Sequence, residues 1–384
     1  MTSDIEPIPG DVADQTLPIS EESRVNVATQ WQLMWWKFRK HRLAMLGGVV
    51  TILIYLVTIF VEFLAPFPPV SFAAKYTYAP PQPLHLFEET ENGLKFAPYV
   101  NGYKVEIEQA ALRRVFTVDP EAKHYVGLLV NGAPYKLLGI LPTDVHLLGP
   151  KEPDAPMYLL GADKLGRDVF SRLLYGTRIS MSIGLVGVAL SFLLGILLGG
   201  ISGYYGGTID NVIQRVIEFI RSIPTIPLWL GLAAALPSDW PPLRIYFGIT
   251  IILSFIGWTE LARVVRGRFL ALRTEDFVLA SRLEGSSEMR IIWKHMVPSF
   301  MSHIIASLTL AIPGMILAET SLSFLGLGLR PPIVSWGVLL QEAQNIRAVA
   351  TAPWLLVPGA AVVIAVLALN FLGDGLRDAA DPYR

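Results

Sequence analysis

Six stretches of this chain are apolar over enough length to leave little choice of solvent. They run over residues 43–65, 179–203, 216–236, 245–262, about 304–320, and 354–373. A helix needs about 20 mostly apolar residues to cross the hydrocarbon core of a bilayer. Backbone polar groups in lipid must be satisfied within the segment, so the six runs predict six transmembrane helices. The third run is the least clean, with Arg221 near its start and Pro224 and Pro227 inside it. Prolines are tolerated in membrane helices where neighbours satisfy the freed backbone groups. Charge content agrees, at 16% of residues against about 25% for soluble domains. A formal net charge of −1 without a basic stripe gives no footing for nucleic acid, and the chain has no cysteine. That removes disulfides, thiolate nucleophiles and cysteine metal sites.

Orientation follows from lysine and arginine beside the runs. Lys37, Arg39, Lys40 and Arg42 precede the first run, after the interfacial tryptophans Trp31, Trp35 and Trp36. This predicts a cytoplasmic N-terminus, and six crossings return the C-terminus, with Arg377 and Arg384, to the same side. The loop between the fourth and fifth runs then faces the cytoplasm with Arg263, Arg266, Arg268, Arg273, Arg282, Arg290 and Lys294. Loops on the other side are poorer, with Arg244, Arg330 and Arg347. Arg167, Arg172 and Arg178 run against the scheme, but they follow a long loop, where the rule weakens. Residues 1–30 are acidic and lack the basic and apolar regions of a secretory signal, so a solvated cytoplasmic tail is expected there.

Between the first and second runs the composition changes. Residues 67–177 contain NGYKVEIEQAALRRVFTVDP and HYVGLLVNGAPYKLLGILP, alternating apolar runs broken by Asn-Gly and Pro. These read as β-hairpins in a small external domain. The expected organisation is a tail (1–30), an interfacial helix with the first span (31–66), a β-rich external insert (67–177) and a helical core (178–384).

The segment 276–298, DFVLASRLEGSSEMRIIWKHMVP, is charged and amphipathic between two apolar runs. Asp276 to Glu284 reads as one short helix, with Gly285 where a left-handed C-terminal residue is needed. Ser287 to Met296 reads as a second, with Ser286 or Ser287 available as its cap and Ile291, Ile292 and Met296 as its apolar face. Pro298 ends the segment before the fifth run. Small residues at Ala280 and Ser281 would let the walls of another protein approach closely. Periodicity alone leaves two readings open, an ordinary interfacial amphipathic loop or a docking knob.

Ala280–Ser281, Gly285 five positions on, and His295-x-x-Pro298 resemble the signature loop of ABC importer permeases. LLGADKLGRDVFSRLLYGTRISMSIG (159–184) resembles the entry to the second span in C-type subunits of oligopeptide and dipeptide permeases. ETSLSFLGLGLRPPIVSWGVLLQEA (319–343) resembles those proteins again. The similarity covers roughly residues 31–66 and 159–384. It implies an all-α polytopic membrane protein with the type I ABC importer permease fold; the β-rich insert between helices one and two is longer than is typical of such subunits, and the resemblance assigns it no role. It implies a non-catalytic transport subunit of the inner membrane whose loop 275–298 is a coupling helix, with Ala280, Ser281, Glu284, Gly285, His295 and Pro298 at the ATPase contact. The implied partners are a second homologous permease, two ATP-binding subunits that hold ATP and Mg, and an external solute-binding protein. Peptides are the first implied solute, with oligosaccharides or nickel complexes as alternatives. The family often has Glu-Ala-Ala where this chain has Leu279, Ala280 and Ser281, and Glu284 beside the glycine does not simply replace that acid.

No GxxxxGK[ST] phosphate loop is present, and GGVV, GILLGGISG and GLGLR are glycines that permit close helix packing. His41, His85, His124, His146, His295 and His303 are scattered without metal-ligand spacing, and no G-x-S-x-G nucleophile turn occurs. Neither a catalytic residue nor a metal site is expected. Charges inside spans are functional candidates by default. Glu62 is expected to reach the interface, and Glu260 to pair locally with Arg263. Asp210, Arg215, Glu218 and Arg221 form either a surface ion network or a gate, and Glu319 either lines a path or fixes the loop after it. A reading of a different class is a membrane-anchored ligand sensor, against which stand the coupling-type loop and the lack of a cytoplasmic output domain.

Overall fold

The computed structural model describes residues 29–90, 93–109, 113–152, 155–237 and 239–380. Residues 1–28 of the expected tail lie outside these. Helix α1 (Gln30–Lys40) opens with a capping box in which Thr29 N–H donates to Gln32 Oε1 at 2.9 Å. His41 turns the chain into α2 (Arg42–Ile59), its Nδ1 accepting from Ala44 N–H at 3.1 Å. The first apolar run ends there. Phe60 breaks it, and Val61–Leu64 (α3) forms a separate short turn.

After the sheet, α4 (Val169–Tyr205) starts well before its apolar run because Asp168 caps it, accepting from Phe170 N–H at 3.3 Å and Ser171 N–H at 2.7 Å. Burial pushes the Asp168 carboxyl up to about 6, against the lowering pull of those hydrogen bonds. Next come α5 (Gly207–Ser222), α6 (Thr225–Ala234), α7 (Pro242–Leu272), α8 (Asp276–Leu283) and α9 (Glu288–Arg290). A π-helical stretch (Ile291–Met296) leads into α10 (Val297–Ser299) and the long α11 (Met301–Phe324). Helices α12 (Trp336–Gln341), α13 (Ile346–Thr351) and α14 (Val357–Ala380) complete the chain. Among the described residues, five helical segments are long and apolar enough to cross a bilayer, or six if α5 and α6 count as one broken span.

The third apolar run is therefore not the straight helix expected. α5 and α6 meet at 86°. Pro224 has no N–H to give, and its ring drives Ile223 out of the helical region to φ −89°, ψ 130°. Pro227 falls in the first turn of α6, where proline costs little.

Small residues set the helix packing. Gly195, Gly199 and Gly203 lie four apart on α4 and face α7. A Cβ at Gly199 would stand 2.5 Å from the carbonyl oxygen of Ala262, and one at Gly203 2.7 Å from that of Arg266. Gly47 of α2 meets the Ala368 carbonyl of α14 in the same way, at 2.5 Å. The α1 side chains Met34 and Phe38 pack with Ala44 and Ala379, so the start of α2 and the end of α14 lie together.

Between α3 and α4 stands a four-stranded antiparallel sheet in the order β1-β2-β3-β4: His85–Thr90, Gly93–Glu108, Arg113–Leu137 and Leu141–Pro150. Strand β3 pairs with β2 through its first half (Tyr125 opposite Tyr99) and with β4 through its second (Val126 opposite Pro150). The Asn-Gly pairs at 101–102 and 131–132, expected at turns, lie inside strands. The register shifts at Asn101/Gly102 and again between Asn131 and Tyr135, so each pair marks a bulge in a long strand rather than a hairpin. A Cβ on Gly132 would meet the His146 ring at 2.7 Å, which explains that glycine by close approach. His146 is buried and bridges the Ala65 carbonyl (Nδ1, 2.7 Å) to that of Ala133 (Nε2, 3.0 Å), tying the sheet to the end of α3.

Candidate functional site

The segment 276–298 folds as two short helical pieces set against the helix bundle. Leu283 ends α8, Glu284 caps it, and Gly285 follows at φ +76°. Gly285 N–H donates to the Arg282 carbonyl at 3.0 Å and Ser286 N–H to that of Ser281 at 3.1 Å. This double bond pattern around a left-handed residue satisfies the last carbonyls of α8, and glycine adopts it without a Cβ clash. Ser287 is the N-cap of α9 by backbone geometry, though its side chain makes no cap hydrogen bond. The chain stays helical through Pro298 and turns at Phe300, φ −126°, so the segment ends two residues later than the proline suggested. Proline is tolerated there because it occupies the first turn of α10.

Val278, Ile291, Ile292 and Met296 are buried with Phe269 of α7 and Phe300. This is the expected apolar face, joined to the bundle. Arg282 lies over the Tyr204 ring, 4.9 Å from its centroid, and Tyr205 donates to Glu288 at 2.5 Å. Both tyrosines end α4, so α4 and α7 hold the knob from two sides. The two small residues part company. Ala280 is exposed, whereas Ser281 is buried with its hydroxyl donating to the Phe277 carbonyl at 2.9 Å. Only Ala280 is free to meet another protein. Glu284, Gly285 and Pro298 are exposed and His295 is half-buried. The outer surface also carries apolar side chains the sequence did not single out: Leu283 at 90% exposure, with Met289 and Trp293.

A cavity of about 400 Å³ lies among α4, the α5–α6 break, α7 and α11, lined by Val188, Ser191, Trp229, Gly257, Gly314 and Met315. Arg221 and Glu260 also line it and form an ion pair from α5 to α7. Glu260 therefore pairs with Arg221, not with Arg263, because the 86° break brings the end of α5 against α7. The Trp229 indole N–H is buried without an acceptor among the described residues. Deeper along the same helices, Arg266 clamps Asp210 through Nε and Nη2, both at 2.5 Å, and Ser202 donates to the same carboxylate. Arg215 pairs with Glu218 at 2.8 Å on the exposed face. The expected network thus splits into one clamp, one surface pair and one pair at a cavity. Glu62 finds Arg178 of α4 rather than only the interface. Burial pushes its carboxyl up, and the Arg178 hydrogen bonds outweigh this and hold it below the usual range.

Glu319 is not among the residues that line this cavity. It is fully buried, and its carboxylate accepts from Ser323 (2.7 Å), Ser335 (2.7 Å) and Ser180 (3.3 Å). Each serine in turn accepts a backbone N–H, from Leu329 (2.9 Å), Val338 (3.2 Å) and Trp336 (3.1 Å) respectively. One carboxylate so orders α4, α11 and the start of α12.

Residues 195–383 match the family described as binding-protein-dependent transport system inner membrane component, and residues 29–81 match the N-terminal TM domain of oligopeptide transport permease C. The chain is 37% identical over 238 residues to the oligopeptide transport system permease protein OppC of Bacillus subtilis, covering 62% of this chain and 75% of that protein. It belongs to this permease family. To the dipeptide transport system permease protein DppC of the same organism it is 38% identical over 232 residues, 60% of this chain and 70% of that one. To the glutathione transport system permease protein GsiD of Pectobacterium atrosepticum it is 37% identical, covering 60% and 74%. A solved inward-facing structure of the MetNI methionine ABC transporter overlays with a TM-score of 0.42 at 20% identity, covering 55% of this chain and 97% of that one. The family match and the curated relatives make this chain a multi-span membrane permease of an ABC importer. For this permease, Trp229 and the partner of Glu260 were beyond sequence reading, since both depend on the broken helix. An unpaired tryptophan just after two prolines was the one available signal.

Proposed function

We propose that this permease imports peptides, forms half of the translocation pathway, and couples to a cytoplasmic ATPase through residues 275–298. The other half of the pathway is assigned to a second homologous permease. Two ATP-binding subunits hold ATP and Mg, and an external solute-binding protein delivers the peptide. The chain itself binds no cofactor and catalyses nothing in this reading. Support for the peptide assignment comes from relatives named for oligopeptide, dipeptide and glutathione transport.

The observation that carries the coupling role is the knob itself, a rigid glycine-capped pair of helices with Leu283, Met289 and Trp293 presented outward. Exposed apolar groups of this kind mark protein contact surfaces. Ala280, Glu284, Gly285, His295 and Pro298 surround that contact, and Ser281 supports it from within. Closure of the ATPase pair on ATP shifts the knob, and α7 and α11 move with it. ATP drives this change only by its differential affinity for the two states. Arg221 with Glu260 is the proposed gate of the cavity.

Orientation follows. α4 has 37 residues, about 55 Å at 1.5 Å per residue, and it separates the sheet at its start from the knob at its end. With the knob and the arginines at the end of α7 (Arg263, Arg266, Arg268 and Arg273) in the cytoplasm, the sheet lies outside and both termini lie inside.

Gly285→Val tests the coupling. A β-branched residue at φ +76° is strained and disturbs the cap. Reconstituted with its partner subunits, the variant is expected to keep ATP hydrolysis while peptide uptake falls. Unchanged uptake per ATP hydrolysed would sink the coupling role.

A further inference from the structure

At the other end of α4, beside the sheet, a second cavity of about 380 Å³ is lined by Tyr78, Lys164, Arg167, Arg172, Glu342 and Asn345, among others. Its size suits a small ligand. Its charges are built in. Asp163, itself buried, accepts from Leu165 N–H (2.9 Å) and Arg167 N–H (3.0 Å) through Oδ1, and from Arg167 Nε (2.7 Å) through Oδ2. Arg172 Nη1 reaches the same Oδ2 at 3.4 Å. Three cations, Lys164, Arg167 and Arg172, and one acid, Glu342, line the cavity, with the buried acids Asp163 and Asp168 beside them. Arg172 is 3% exposed, and its Nε–H has no acceptor among the described residues. A buried guanidinium donor without an acceptor is costly, and a carboxylate is the group it fits best.

Glu342 also lines the cavity. It accepts from Lys164 N–H at 2.8 Å and from the Tyr78 hydroxyl. An anion alone would be repelled by it, whereas a molecule with both charges is matched.

We propose that this cavity is a subsite for short zwitterionic peptides. Arg172 and Lys164 take the C-terminal carboxylate, and Glu342 takes the ammonium group. The inference rests on the peptide reading above and adds a place for the solute before the cavity that Arg221 and Glu260 line. The wall carrying Val338, Leu339 and Glu342 follows directly on Ser335 and Trp336, which Glu319 and Ser180 hold to α11 and α4. A peptide seated here therefore rests against segments tied to α4 and α11, two of the helices that line the cavity of Arg221 and Glu260.

The test uses the full chain with its partner subunits in nanodiscs, without the solute-binding protein, and radiolabelled Ala-Ala as the probe. Ala-Ala is expected to bind saturably. Its C-terminal amide and its N-acetyl derivative are expected to compete at least about tenfold less well, as is usual for loss of a hydrogen bond to a charged group. Lys164→Met, at an exposed position that keeps the backbone bond to Glu342, and Arg172→Lys should each weaken Ala-Ala by about tenfold. Absence of saturable binding, or equal competition by the amide, overturns the proposal. Variants that leave Ala-Ala binding intact but weaken capture of the solute-binding protein overturn it too, in favour of a docking socket for an acidic side chain. ATP-driven oligoalanine uptake by the complete system is measured alongside. Uptake without Ala-Ala binding removes this subsite alone, while absent uptake removes the peptide reading as well.

Discussion

Leu53 on α2 and Leu128 on β3 are both well exposed, at 55% and 73%, yet the two exposures mean different things. Around Leu53 lie Leu46, Val49, Ile52 and Leu56, a continuous outward apolar face on a helix of span length. Its solvent is lipid, so this exposure costs nothing. Around the sheet, Leu94, Phe96, Leu128, Leu129 and Leu141 are exposed on strands that carry charged and polar residues between them. The sheet buries little. Its own cluster is Val100, Val126 and Met157, with Phe67, Leu148 and Leu159 alongside. The helical core instead fixes its partners by close backbone approach and by internal hydrogen bonds. Exposure of an apolar side chain is therefore evidence only once the surrounding solvent is known.

The contrast is sharpest where packing is tightest. Gly199→Leu drives side-chain atoms into the Ala262 carbonyl and is expected to cost about 3 kcal/mol or more. Loss of monodisperse protein on size exclusion checks this, and a normal profile would show that the α4–α7 contact is slack. Glu319→Ala strips three serine hydroxyls of their acceptor and should cost about 2–4 kcal/mol, read as a lower apparent Tm. Glu319→Gln should lose less, since its amide oxygen still accepts.

Asp168 sits where the two regions join. Its folded pKa, about 6, lies above its ordinary 3.8, so the folded state binds the proton more tightly than the unfolded one. Its contribution is fully present below about pH 4 and is lost as pH rises through 6. The stability of the native chain relative to Asp168→Asn should fall between pH 4 and 7 by up to about 3 kcal/mol, from 1.36 kcal/mol per unit, and stay flat above. A difference in Tm that does not change with pH would contradict a buried carboxyl at this joint. The smallest effect is expected on the sheet. Leu128→Ser should change Tm within about 0.5 kcal/mol equivalent, and a large loss would mean that the sheet face is covered in the folded chain.

The apolar runs were legible because lipid demands length and hydrophobicity, which are local properties. Five of the six emerged as single long helices or helix-plus-turn segments over their apolar cores, with α4 starting early at its Asp168 cap and α7 and α14 running on past theirs to Leu272 and Ala380. The two-helix knob was legible for a similar reason, since Gly285 and the Ile291, Ile292, Met296 spacing specify a cap and a face without reference to the rest of the chain. Strands were expected between the first two runs, but their turns were misplaced, because Asn-Gly serves a bulge as readily as a hairpin.

What stayed hidden is long-range. Glu260 meets Arg221 only because Pro224 bends the chain by 86°, and a proline in a sequence does not state whether its helix continues. Ser281 and Ala280 are alike in size, but which one faces the bundle depends on where α4 and α7 lie. Glu319 draws on Ser180, 139 residues away, and Arg172 on Asp163 across a turn. The sequence by itself determined the solvent, the helices and the family resemblance, since these rest on periodicity and on motifs read along the chain. Only the tertiary structure decided the pairing of charges and the two cavities, because in a low-dielectric interior each buried charge is fixed by whichever partner the packing brings to it.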